Sequence, residues 1–204
     1  ARWTPPPRKP APTGPLPKIV PHGPAKPGFT WRRTDGGAIE VKLGARTWLV
    51  RSRFSTREPG WAGVGDAGEF VVERRIDAHD DRLHVTDRIT NKTDEDLPVM
   101  VRHTTELGPG VEHVYVGGKE AMTPKSRGEE PSHPVAVGLY DDAGLGLVNE
   151  DDVMRATGNM WRERGEIGGG NSRLGGRKGA TVAGEHSAHP LGRGGPFALP
   201  HRVR

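Results

Sequence analysis

His103 and Glu106, followed across the turn Gly108-Pro109-Gly110 by Glu112 and His113, gather two imidazoles and two carboxylates into one short stretch. Imidazole beside carboxylate is the usual pairing for moving a proton to and from a sugar hydroxyl, and the same donors suit a divalent cation. The competing reading makes His103 an inward-facing, hydrogen-bonded core histidine and the glutamates solvated rim charges. Asp141, Asp142, Glu150, Asp151 and Asp152 offer a second group, oxygen-rich and placed at two neighbouring strand ends, of the type that takes Ca²⁺. It lacks the spaced D-x-D-x-D-G loop, so a solvated acidic turn is the plainer account. Among five tryptophans, Trp61 lies in a glycine-rich loop and is best placed to stack on a sugar ring, with Arg102 and His103 as polar groups beside it. Loop tryptophans also close the ends of sandwiches.

Other motifs carry less. Gly63-Val64-Gly65-Asp66-Ala67-Gly68 matches GxGxxG, but phosphate binding needs a strand before and a helix after it, and here a strand follows. His186-Ser187-Ala188-His189 would align two imidazoles only in a helix, which Pro190 and the surrounding glycines oppose. Asn91-Lys92-Thr93 satisfies the glycosylation sequon, which has meaning only in a secretory eukaryotic setting.

The elements that must position these residues are strands. Phe70, Val72 and Ile76, then Leu83, Val85 and Ile89, then Leu97, Val99 and Val101 recur at the two-residue period of half-buried strands. Polar turns at 78–81 and 91–96 join them into a three-stranded antiparallel meander. Further strands are expected at 38–43, 47–54, 112–116, 135–140, 146–149 and 153–156, with no sustained helical stripe. The fold class is therefore an all-β antiparallel sandwich.

Composition sets the limits of that domain. Only 32% of the 204 residues are hydrophobic, and ten of the 19 prolines fall within residues 1–28, which read as a basic polyproline linker. Eleven of the 30 glycines lie between 165 and 195, so residues 161–204 read as a Gly/Arg-rich tail with one last strand near 180–183. Residues 29–160 form the sandwich. The linker carries a net +5 and the tail eight basic against three acidic residues, leaving 17 basic and 23 acidic residues, a net −6, for 29–160. The part that folds would repel phosphate on average, which disfavours nucleic acid as a partner except through the tails. The absence of cysteine excludes disulfides and thiolate zinc sites. No run approaches the roughly 20 apolar residues that span a bilayer.

The segments Glu73-Arg74-Arg75-Ile76, Leu83-His84-Val85-Thr86-Asp87-Arg88-Ile89-Thr90-Asn91-Lys92-Thr93 and Leu97-Pro98-Val99-Met100-Val101-Arg102-His103 resemble the galactose-mutarotase-like β-sandwich accessory domains that stand beside catalytic barrels in bacterial glycoside hydrolases. The likeness extends over about residues 69–156, with Leu145–Asp152 similar to a later strand pair. It implies a non-catalytic module of a larger, exported carbohydrate-active protein, extracellular or periplasmic, whose partner is a glycan or an adjoining catalytic domain. No cofactor is expected beyond the Ca²⁺ option. Two alternatives stand beside it: a mutarotase-like or lyase-like sugar enzyme using His103 with Glu106 or Glu112, and polyanion binding through the basic tails.

Overall fold

A computed structural model describes residues 28–56, 60–121, 123, 126–131, 133–150, 155, 158–176 and 181–192. The linker 1–27, Asp151, Asp152, most of the strand expected at 153–156 and the end of the tail lie outside them. Two antiparallel sheets face each other. The first runs, in spatial order, β1 (Thr30–Arg33), β2 (Ile39–Leu43), β3 (Arg46–Ser55), β7 (Leu97–Glu106), β14 (Glu166–Gly176), β13 (Asn159–Glu163) and β10 (Gly128–Pro131). The second runs β4 (Gly65–Asp66), β5 (Phe70–Ala78), β6 (Leu83–Asn91), β15 (Thr181–Gly192), β12 (Ala143–Asn149), β11 (Val135–Leu139), β8 (His113–Val116) and β9 (Lys119–Glu120). Among the described residues, no helix is long and apolar enough to cross a membrane.

The all-β antiparallel sandwich expected from the sequence is what forms, with two differences inside it. The expected three-stranded meander divides: β5 and β6 pair in one sheet, whereas β7 crosses to the other and pairs with β3 and β14. The cause is edge occupancy. β6 has β5 on one side and β15 on the other, so its successor has no free edge to join.

The second difference is that the sheets continue past residue 160. β14 and β15, drawn from the stretch that composition marks as a tail, sit in the interior of each sheet. Cross-strand cover explains why the glycine run can be a strand. The Trp161 indole lies over Gly168, where an added Cβ would be 2.6 Å from the ring, and Met160 occupies the space a Cβ on Gly169 would need, at 2.4 Å. The surface those glycines lack is supplied by their neighbours on β13. Gly170 is tighter still, with a Cβ falling 2.1 Å from the Val101 carbonyl oxygen. Gly170→Ala is therefore expected to force β7 and β14 apart and cost about 2–3 kcal/mol, at the upper end of overpacking penalties, measured as a lower urea midpoint.

Between the sheets the core falls into two apolar clusters. One gathers Val41, Trp48, Val50, Leu83, Val85, Leu145 and Ile167 among others, and the second gathers Phe54, Phe70, Val72, Ile89, Val99 and Val101. A layer of polar side chains one residue deep separates them. On β3 it is Ser52 between Val50 and Phe54, and on β6 Asp87 between Val85 and Ile89. On β5 it is Arg74 between Val72 and Ile76, and on β7 His103 beyond Val101.

Candidate functional site

The strand period dictates where each candidate side chain goes. His103 shares the inward phase of β7 with Val99 and Val101, so it enters the polar layer at 4% exposure and not the rim. Its Nδ1 lies 2.8 Å from Oγ of Ser52, its cross-strand partner on β3, and its ring stacks on His186 of β15 with centroids 3.6 Å apart. Arg74 and Asp87 are directly opposed on β5 and β6. The guanidinium clasps both carboxylate oxygens, Nε to Oδ1 at 2.7 Å and Nη2 to Oδ2 at 2.5 Å, while Nη1 donates to the Gly37 carbonyl at 2.7 Å. Both side chains are enclosed, at 0% and 2% exposure.

This environment keeps both imidazoles neutral. Burial, followed by the neighbouring His186 and the Arg74 cation, holds His103 well below its ordinary value, against an upward pull from Asp87. Burial, Arg74 and His84 do the same to His186. His186 Nδ1 is 4.0 Å from Asp87 Oδ2, beyond hydrogen-bond reach, and neither of its ring nitrogens has a hydrogen-bond partner among the described residues.

Donor atoms of Asp87, His103 and His186 lie within 4.8 Å of one another, close enough to suggest a metal centre. The chemistry of the set argues otherwise. With the rings only 20° from parallel, in-plane lone pairs run side by side and do not converge. Arg74 already takes both Asp87 oxygens, so a dication there would face an uncompensated guanidinium in a buried layer. The layer serves the core.

The four residues offered for acid–base work are not assembled into one rim. His103 is enclosed. Glu106 points outward on β7, with Oε1 3.5 Å from Arg51 Nη1, and borders a cleft with Pro109 and Tyr140. His113 starts β8 in the opposite sheet, its Nδ1 2.6 Å from Glu120 Oε1, and Glu112 is exposed beside it. The acidic group is likewise accounted for in its described members. Arg46 holds Asp142 at 2.6 Å and Asp141 at 3.3 Å while lying 3.9 Å over the Tyr140 ring, and Glu150 is 3.3 Å from His84 Nε2. Asn91 of the sequon is 6% exposed, with its amide donating to Glu95 O and accepting from Thr93 N. The GxGxxG stretch leads into β5, with Gly65 and Gly68 at positive φ, and no helix follows it.

Trp61 and Arg102 do meet. The Arg102 guanidinium lies 4.4 Å from the centre of the Trp61 ring, at one wall of a surface cleft of about 320 Å³ on the outer face of the first sheet. The floor is β14, where Gly170 stands between Arg102 on β7 and Asn159 on β13 and raises no side chain. Trp161 lies on the far side, over Gly168, and Arg127, Glu129 and Glu163 stand at the rim. Two half-buried indoles thus line the cleft, Trp61 against the Arg102 guanidinium and Trp161 over Gly168 of the floor strand. Sequence reading reached Trp61 and Arg102 and missed Trp161. Its signal lies in Asn159-Met160-Trp161-Arg162, where Met160 is fully buried and alternation turns Trp161 and Glu163 outward.

No family model matches this sequence, and no curated protein does. Among solved structures the chain is similar to a candidate aldose 1-epimerase from Klebsiella pneumoniae, with TM-score 0.46 and 10% identity over 76% of this chain and 54% of that one. A candidate aldose 1-epimerase from Escherichia coli K12 gives TM-score 0.44 and 10% identity, covering 81% and 69%. The Slr1438 protein from Synechocystis sp. PCC 6803 gives 0.42 and 9%, covering 84% and 75%. The chain spans about half the length of the first of these. Likenesses at this level leave function to be argued from the site itself.

Proposed function

We propose that this chain is a carbohydrate-binding β-sandwich module of a larger carbohydrate-active protein, and that it holds glycan in the cleft between Trp61 and Trp161. The observation that carries this reading is the pair of half-buried indoles that line one glycine-floored cleft, Trp161 lying over Gly168 and Arg102 stacked on Trp61. Aromatic faces supply apolar area to the C–H surface of a sugar ring, while guanidinium, amide and carboxylate groups at the rim satisfy its hydroxyls. The volume is near the lower end of small-molecule pockets, about 300 Å³, and fits a short glycan segment.

Calorimetric titration with a panel of soluble oligosaccharides tests the proposal. Trp61→Ala and Trp161→Ala are each expected to weaken binding at least about tenfold, the scale of truncating an anchoring aromatic, with the urea midpoint little changed for Trp61→Ala and lowered for Trp161→Ala, which also uncovers Gly168. Affinity that survives both substitutions removes the cleft from consideration. Polarimetry on free aldoses, run in parallel, distinguishes a binding module from a sugar enzyme. Mutarotation above the buffer rate would require an acid–base pair other than the enclosed His103.

A further inference from the structure

We infer that the glycan is held as an extended chain, running along β7 from the cleft of Trp61 and Trp161 into a second cleft at Arg51 and Glu106. This rests on the reading of the first cleft as a glycan site, and it makes the ligand a polysaccharide strand of several rings in place of one or two.

The two clefts open on the same face. Arg102 and Glu106 share the outward phase of β7, four residues and about 13 Å apart at the rise of a strand. The second cleft, of about 370 Å³, is lined by Leu49, Arg51, Glu106 and Pro109 among others, and Leu49 and Arg51 are outward residues of β3. Register joins the clefts from the other side as well. Glu163, which lines the first, is opposed to Glu166 on β14, and Glu166 is opposed to Glu106, so two strand spacings, about 10 Å, separate them.

Little stands between the two. Thr104 is the one outward side chain of β7 between Arg102 and Glu106, and it is half-buried. Its neighbours in the same row are Arg51 on β3 and Gly168 on β14, and Gly168 lies under the Trp161 indole. A chain leaving the first cleft along β7 therefore passes between an aromatic surface and Arg51, over a threonine.

The second cleft has the chemistry to receive hydroxyls. Arg51 Nη1 and Glu106 Oε1 are 3.5 Å apart, longer than a good charge-assisted hydrogen bond, and both side chains reach solvent. A hydroxyl both donates and accepts, so it can enter between guanidinium and carboxylate without leaving either charge bare. Leu49 and Pro109 supply apolar surface beside them. Once the first cleft is occupied, contact with the second is intramolecular, so two modest sites on one ligand bind more tightly than either does alone.

The test is calorimetric titration of the whole chain with cello-, xylo-, manno- and malto-oligosaccharides of two to six rings. In at least one series, affinity is expected to rise more than about tenfold from the disaccharide to the hexasaccharide. The double variant Arg51→Gln, Glu106→Gln leaves the net charge unchanged and removes an exposed pair, so the urea midpoint should hold. It should lose about tenfold of the affinity for the hexasaccharide and none for the disaccharide, whereas Trp61→Ala should weaken both. Affinity that grows with length no more than the added number of binding frames requires overturns the extended chain and leaves the first cleft standing. A double variant that matches the parent on the hexasaccharide, or that loses the disaccharide equally, does the same. Binding of no series at any length, by a protein whose urea transition is intact, overturns the glycan cleft as well.

Discussion

Arg74→Met is expected to cost about 3–5 kcal/mol of stability, the range for removing one partner of a buried ion pair. The substitution keeps most of the side-chain volume and removes the charge. What it leaves is an Asp87 carboxylate, 2% exposed, that has lost two hydrogen bonds, and a Gly37 carbonyl that has lost its donor. Water cannot readily replace them, because apolar clusters close off the layer on both sides. Against a total of about 5–15 kcal/mol for a domain, a loss of this size is visible as a large fall in the urea midpoint at unchanged slope. The double variant Arg74→Met, Asp87→Leu separates the pair from the rest of the layer. Removing both charges together is expected to be neutral or stabilising by about 1–4 kcal/mol, since the desolvation cost of two ions disappears with their attraction. A single variant that costs under about 1 kcal/mol would show that the pair is hydrated in solution. A double variant as damaged as the single would place the loss in the surrounding packing.

What such a pair contributes is register. Because Arg74 and Asp87 are directly opposed, and His103 and Ser52 likewise, sliding either strand pair by two residues would keep apolar residues inward but set charge or imidazole against Val72, Ile89 or Phe54. Apolar alternation alone does not distinguish those registers. This part of the design was legible in the sequence, since Arg74 falls in the inward phase between Val72 and Ile76, and Asp87 between Val85 and Ile89. A strand with one charged residue in its buried phase announces a partner of opposite sign in the buried phase of its neighbour. The contribution from β15 was not legible. His186 lies in a stretch whose composition has too little apolar surface to hold itself together, and it becomes a strand only because β6 and β12 offer edges on either side. The glycine floor was hidden for the same reason, as its cover belongs to Trp161 and Met160 on another strand. The cleft could therefore be seen only from one wall, at Trp61 and Arg102. Periodicity reports which way a residue faces within its own strand, and says nothing of which strand will lie beside it.

The neutral histidines make stability fall steeply as solution is acidified below pH 6.5. Both have folded values pushed well under 6.5, the value they regain when the chain unfolds, first by burial and then by the charged and imidazole neighbours Arg74, His186 and His84, with Asp87 opposing at His103. The sign follows from proton counting. Below 6.5 the unfolded chain takes up protons that the folded one refuses, so unfolding is favoured progressively, and the stabilisation is whole only above that pH. Each histidine contributes a slope of up to about 1.4 kcal/mol per pH unit, and the two together up to about 2.7. The loss continues until pH reaches the depressed folded values. Urea unfolding at half-unit steps from pH 7.5 to 5 measures the slope, in a range above the ordinary titration of carboxylates. His186→Gln should roughly halve it, because one neutral imidazole remains at His103. A flat profile across this range would mean that the stacked pair opens to water at little cost, and that the layer between the two apolar clusters is wet.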